Sequence, residues 1–191
     1  SGCASYGVVD NTPMKVAGTS DGYSIRSGGG SGWGSGDIAL VLAFSGGGTR
    51  AAALAYGVLE ELRDTRVVID GSPRRLLDET DIISSVSGGS FTSAYYGLYG
   101  DRIFADFEDA FLRRNVQGQL IRGLLNPLEW FSTAGRTEMA VKLYEKEVFQ
   151  RATFADMKRE GSPLILINAS DLGYGVRFSF VQEYFNLLCS D

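Results

Sequence analysis

Ile38-Ala39-Leu40-Val41-Leu42-Ala43-Phe44 runs without a polar break into Ser45-Gly46-Gly47-Gly48-Thr49-Arg50. A short, continuous apolar run bounded by glycines reads as a strand buried on both faces, as in a parallel sheet. The glycines end it. From Thr49 to Arg63 the apolar residues Ala51, Ala52, Leu54, Ala55, Val58, Leu59 and Leu62 recur at near-helical spacing. Strand, glycine turn and helix together form the front half of a βαβ unit.

The same grammar returns downstream. Asp81-Ile82-Ile83-Ser84-Ser85-Val86 reads as a second buried strand, Ser87-Gly88-Gly89-Ser90 as a sharp turn, and Phe91 to Tyr99 as a helix closed by Gly100. Between the units, Pro73 predicts a short helix over Arg74 to Thr80. Residues 101–160 are expected to be mainly helical, with amphipathic stretches over Ile103–Leu112 and Thr137–Phe149. Leu164-Ile165-Leu166-Ile167 predicts a third buried strand, and the alternation of Val176, Phe178 and Phe180 a fourth, with no helix after it. The expected architecture is α/β: a mainly parallel sheet with helices on both faces, incomplete at the C-terminus.

Residues 1–36 differ in texture. They carry little apolar periodicity and end in a Gly/Ser tract from Ser27 to Gly36, which reads as a flexible tether ahead of a catalytic domain at 37–191. Ser1-Gly2-Cys3-Ala4-Ser5 resembles the end of a bacterial lipoprotein signal, with Cys3 as the acylated residue; a free cysteine is the other reading. The first predicts a lipoprotein of the bacterial cell envelope, periplasmic or outer-membrane, working at a membrane surface. No apolar run is long enough to span a bilayer.

Composition narrows the chemistry. The 191 residues, 44% of them hydrophobic, suffice for one sizeable core. A net charge of -5 and scattered basic residues give no stripe for nucleic acid. The chain has no histidine, so neither a Ser-His-Asp triad nor a Cys-His pair can be built from it. Its two cysteines cannot make a four-cysteine zinc site.

A serine nucleophile needs an exposed hydroxyl and donors for the developing oxyanion. A strained strand-to-helix turn supplies both, and it demands small neighbours. Ser85-Val86-Ser87-Gly88-Gly89 fits that demand, although serine replaces glycine at the first position of G-x-S-x-G; an ordinary glycine turn is the plainer alternative. Gly46-Gly47-Gly48 exposes successive backbone N–H groups at a helix start, an anion site by construction. It lacks the lysine and spacing of a Walker loop, and Ala51 stands where a dinucleotide fingerprint needs glycine.

Taken together, Gly46-Gly47-Gly48-Thr49-Arg50 and Ser87-Gly88-Gly89 resemble the patatin-like phospholipase family, as does Asn168-Ala169-Ser170-Asp171-Leu172-Gly173 further on. The resemblance implies a serine acyl hydrolase acting on lipid or phospholipid through a Ser-Asp dyad and an acyl-enzyme. Ser87 would be the nucleophile, with Gly46, Gly47, Gly48 and Gly88 as the oxyanion hole and no cofactor or metal. The family's aspartate follows the serine in an Asp-Gly segment. Asp21-Gly22 and Asp70-Gly71 precede Ser87 and read as turns, so the base is expected beyond Asp191. That expectation makes the chain alone inactive. Asp171 is the substitute within the chain, against a turn-forming role. Arg50 fits either a lipid phosphate or a buried ion pair that anchors the glycine loop. Trp130 and Phe131 fit an acyl pocket or, more simply, core. The rival from another class is a non-catalytic, membrane-tethered module binding lipid or anions.

Overall fold

A computed structural model describes residues 22–25, 38–114, 136–171 and 173–190. In chain order the elements are β1 (Leu40–Phe44), α1 (Gly48–Asp64), β2 (Arg66–Ile69), β3 (Ser72–Arg75), β4 (Thr80–Val86) and α2 (Gly88–Tyr99). Then follow α3 (Ile103–Phe107), which runs on into a π-turn over Glu108–Leu112, α4 (Arg136–Glu147), β5 (Leu164–Ser170), β6 (Arg177–Ser179) and α5 (Gln182–Leu187).

The three apolar runs form one sheet. β1, β4 and β5 pair in parallel in that order, and β6 adds antiparallel to the end of β5. The α/β reading with a mainly parallel sheet therefore holds. Two successive crossovers run in one direction, and α1 and α2 pack on each other on the same face. There the side chains of Phe44, Ile83, Ser85 and Ile165 are buried. Ala52, Ala55 and Leu59 of α1 are buried with them, and the Thr92 hydroxyl of α2 donates to the Ala52 carbonyl at 2.8 Å. Among the described residues, Val41 and Val86 on the strands remain exposed, and no helix is long and apolar enough to cross a membrane.

Three local expectations need correction. Arg74 to Thr80 is not a helix begun by Pro73. Asp70 and Gly71 both take positive φ, 51° and 74°, the type I′ turn that folds two strands back on each other. β2 and β3 are thus a hairpin, and only Leu76–Glu79 winds, as a 3₁₀ turn. α2 starts at Gly88, not Phe91, because the two glycines are already its first turn. Finally, α5 does follow β6. At six residues it is too short to stand alone, and the Phe185 ring holds it against Phe178 at 5.7 Å and Phe180 at 6.3 Å.

Part of the expected tether is structural. Tyr23 is buried, with its ring 5.6 Å from Phe154. The Ile165 N–H of β5 donates to the Tyr23 hydroxyl at 2.6 Å, and the Gln182 N–H donates to the Tyr23 carbonyl at 2.9 Å. Residues 22–25 thus close the edge of β5 that β6 leaves unpaired. Tyr23→Phe would strand a buried amide, which costs about 1–3 kcal/mol; urea unfolding of the two proteins measures it, and an unchanged midpoint would contradict the contact.

Burial pushes the phenols of Tyr23 and Tyr96 up to about 12. An unfolded tyrosine titrates near ~10. Between those values the unfolded chain has released protons that the folded chain keeps, so stability falls as pH rises. Thermal melts are expected to be level in this respect below about pH 10 and to drop progressively above it; melting points that stay constant well above that pH would contradict this.

Candidate active site

Ser87 follows the last residue of β4 and precedes the first of α2. Its backbone sits at φ 51°, ψ -120°, a region that side chains other than glycine's seldom occupy and that costs of order 1–3 kcal/mol. The sharp reversal leaves Ser87 exposed at the C-terminal edge of the sheet. Its side chain makes no capping hydrogen bond to α2, so the hydroxyl is not spent on the helix it begins.

The glycine loop lies against this serine. A Cβ placed on Gly46 would come 3.2 Å from Ser87 Cβ and 3.8 Å from its Oγ. Gly47 and Gly48 take φ values of 140° and 64°. The two turns are packed so closely that Gly88 and Gly89 have no room for a side chain. A Cβ on Gly88 would fall 2.9 Å from the backbone N and C of Gly48 and closer still to its oxygen. A Cβ on Gly89 would meet Ser45 O at 2.8 Å. The Gly89 N–H donates to that same Ser45 carbonyl at 3.2 Å, stapling turn to turn. Among the described residues, the N–H groups of Gly46, Gly47, Gly48 and Gly88 donate to no partner. Two helix N-termini, those of α1 and α2, converge here with their partial positive charge. A hydroxyl beside unspent amides is an arrangement that can attack a carbonyl and receive the resulting oxyanion.

The broken position of the G-x-S-x-G pattern has a use. Ser85 is buried on the α2 face, and its hydroxyl lies 2.6 Å from that of Ser93. Ser93 in turn donates to the Ser90 carbonyl at 3.2 Å. The extra oxygen thus ties the strand to the helix that Ser87 joins to it. Asn168 stands out in the sequence only as part of a family-like segment. Its amide donates to the Ser85 carbonyl at 2.9 Å and to Ser84 Oγ at 3.1 Å, and its oxygen accepts from Ser179 Oγ at 2.6 Å. It ties β4, β5 and β6 together next to the turn that carries Ser87. A polar residue breaking an otherwise apolar run is the signal that could have found it.

Asp171 takes the plainer of its two readings. One carboxylate oxygen accepts the N–H groups of Gly173 at 2.7 Å and Tyr174 at 3.0 Å, shaping the turn between β5 and β6. Arg50 does not sit in the buried ion pair that would anchor the loop: it is exposed and has no ion pair among the described residues. Cys3, Trp130 and Phe131 lie outside the described residues.

The family model of the patatin-like phospholipases matches residues 42–183, a span that contains both glycine turns, Ser87 and the β5–β6 edge. The chain belongs to the patatin-like phospholipase family. Comparison with curated proteins and with solved structures finds no match. A patatin-like chain is a member of a family of lipid acyl hydrolases. In this patatin-like domain the matched region begins within β1 and ends in α5, so it coincides with the sheet that carries the site.

Proposed function

We propose that the protein is a lipid or phospholipid acyl hydrolase working through a Ser-Asp dyad, with Ser87 as nucleophile. Ser87 Oγ attacks the acyl carbonyl carbon, and the carbonyl π pair moves to its oxygen. The N–H groups of Gly46, Gly47, Gly48 and Gly88 receive that charge as the oxyanion hole. The serine proton passes to an aspartate, which returns it to the departing alcohol or phospholipid oxygen as the tetrahedral adduct collapses. Water then adds to the acyl-enzyme, releasing the acid and restoring Ser87. The single observation that supports this most is Ser87 itself: a strained, exposed serine held against a loop of unspent amides.

The aspartate is assigned to chain beyond Asp191, because the Asp171 carboxylate is engaged with its own turn. On this reading the 191 residues alone do not turn over ester. Exposed Arg50, at the start of α1, is available for a substrate phosphate. Lipidation of Cys3 would hold the enzyme at the membrane of a bacterial cell envelope.

Pre-steady-state hydrolysis of p-nitrophenyl butyrate by a chain extended past Asp191 tests the covalent mechanism. A burst of about one p-nitrophenol per active serine ahead of a slower steady rate is expected. A folded, extended protein that neither bursts nor turns over would favour the non-catalytic lipid-binding module.

A further inference from the structure

Ser87 holds a backbone conformation that costs free energy, and such strain survives only where the surroundings over-determine it. Downstream the constraint is plain. The Ser90 N–H donates to the Ser87 carbonyl at 3.0 Å, and the Gly89 N–H donates to Ser45 O at 3.2 Å. Upstream, Val86 leaves its side chain exposed, so the side-chain grip on the turn falls to Ser85. That residue is gripped twice. Its hydroxyl meets that of Ser93 in α2 at 2.6 Å, and its carbonyl accepts from the Asn168 side chain at 2.9 Å. The second bond is the unusual one. Main-chain acceptors in a sheet are mostly met by main-chain donors, and asparagine is depleted in strands. Here β5 carries asparagine directly opposite Val86, the residue that joins Ser85 to Ser87.

The partners of the Asn168 amide fix its orientation. Nδ2 donates to Ser85 O, to Ser84 Oγ at 3.1 Å and to Leu166 O at 3.3 Å. Oδ1 accepts from Ser179 Oγ at 2.6 Å. Flipped, the amide would set its oxygen against two carbonyl oxygens, neither of which can donate. Ser179 is buried and stands opposite Asn168 on β6. Thus β6 orients the amide, and the amide holds the end of β4.

We infer that Asn168 is a positioning residue for the reaction: through Ser85 it keeps the Ser87 backbone strained, in the conformation that presents the hydroxyl beside the glycine loop. Its consequence for turnover rests on Ser87 being the nucleophile. Without the amide, Ser85 O loses its donor, the end of β4 can rotate, and Ser87 relaxes toward an unstrained φ. Asn168→Asp keeps the size and shape of the side chain but sets a carboxylate oxygen against the Ser85 carbonyl. Asn168→Ala removes the contact altogether. Ser179→Ala is milder, since it releases the amide from β6 and leaves Asn168 in place.

Two measurements decide this. The first is a cycle of thermal melts on the 191-residue chain, which needs no catalysis. Ser87→Gly alone should raise the melting point by about 2–4 °C as the strain is released. In Asn168→Ala and Asn168→Asp the strain is already relieved, so adding Ser87→Gly should gain less than about 1 °C, a clear departure from additivity. In Ser179→Ala the gain should be intermediate. Tyr23→Phe controls for plain loss of stability. It strips a hydrogen bond from β5 at Ile165, about 10 Å along the strand from Asn168, and should leave the Ser87→Gly gain at full size. No gain in the parent, or an equal gain in every background, would overturn the inference. The second measurement is hydrolysis of p-nitrophenyl butyrate by a chain extended past Asp191. Both Asn168 variants should lose about 10–100-fold in kcat, the scale of a misplaced reacting group. KM should stay at the parental value, because the residue acts on the serine and not on the ester. Tyr23→Phe should keep the parental kcat. A folded Asn168→Asp with parental kcat, or one changed in KM alone, would refute the role. An extended parent that does not turn over would sink the nucleophile reading instead, leaving the melting cycle to decide whether Asn168 holds the turn.

Discussion

Ser87→Ala lowers ester turnover by the extended chain by about 10⁴-fold or more, the scale of losing a serine nucleophile, while circular dichroism stays unchanged. The companion variant separates chemistry from structure. Ser87→Gly removes the same hydroxyl, but glycine adopts φ 51°, ψ -120° without steric cost. Relief of about 1 kcal/mol of backbone strain corresponds to a melting point raised by about 2–4 °C in a chain of this size. The expected signature is therefore an inactive protein that is more stable than its parent. Strain at a functional residue leaves this trace, whereas a serine in an ordinary turn would lose stability or be neutral. A Ser87→Gly protein with normal turnover, or one that melts several degrees lower, would contradict the elbow.

The second large effect is at Gly88. An added methyl would overlap the Gly48 backbone, with Gly48 N and C at 2.9 Å. These are main-chain atoms in a loop stapled to α2, so nothing flexible can give way. Gly88→Ala is expected to cost about 3–5 kcal/mol, at the extreme of single substitutions, and to abolish turnover in whatever folded protein remains. Gly57→Ala is the control. Gly57 is on the exposed face of α1, where an added methyl would meet no atom within 4 Å. Alanine there should stabilise by about 0.8–1 kcal/mol through helix propensity alone. Urea midpoints of the three proteins order them as Gly57→Ala, parent, Gly88→Ala; an unperturbed Gly88→Ala would mean that the two glycine turns are not in contact.

Much of the catalytic half of the fold was legible because it is written in local signals. Ile38–Phe44, Asp81–Val86 and Leu164–Ile167 are short runs rich in apolar residues; the first two are cut off by a polar residue where the strand ends, and the third runs on through Asn168, Ala169 and Ser170. The two glycine turns were readable for the same reason: few residues other than glycine fit a backbone at φ 64° or a contact inside van der Waals distance. What escaped depends on distant partners. Tyr23 looks like one aromatic in a featureless tail, and only residues far along the chain, Phe154, Ile165 and Gln182, give it a role. The α5 helix exists because of Phe178 and Phe180, not because of its own six residues. The β2–β3 hairpin was hidden by Pro73, whose helix-starting habit competed with the Asp70-Gly71 turn signal and lost. Asp171 is a carboxylate in a suggestive place, and two backbone amides decided its use.

The central claim is that Ser87 is an activated nucleophile. Treatment of the folded chain, extended past Asp191, with a fluorophosphonate probe followed by peptide mass spectrometry tests it most directly. The account predicts a single adduct on Ser87 that is absent from Ser87→Ala. A folded protein that gives no adduct, or one labelled elsewhere while Ser87 stays free, would contradict it.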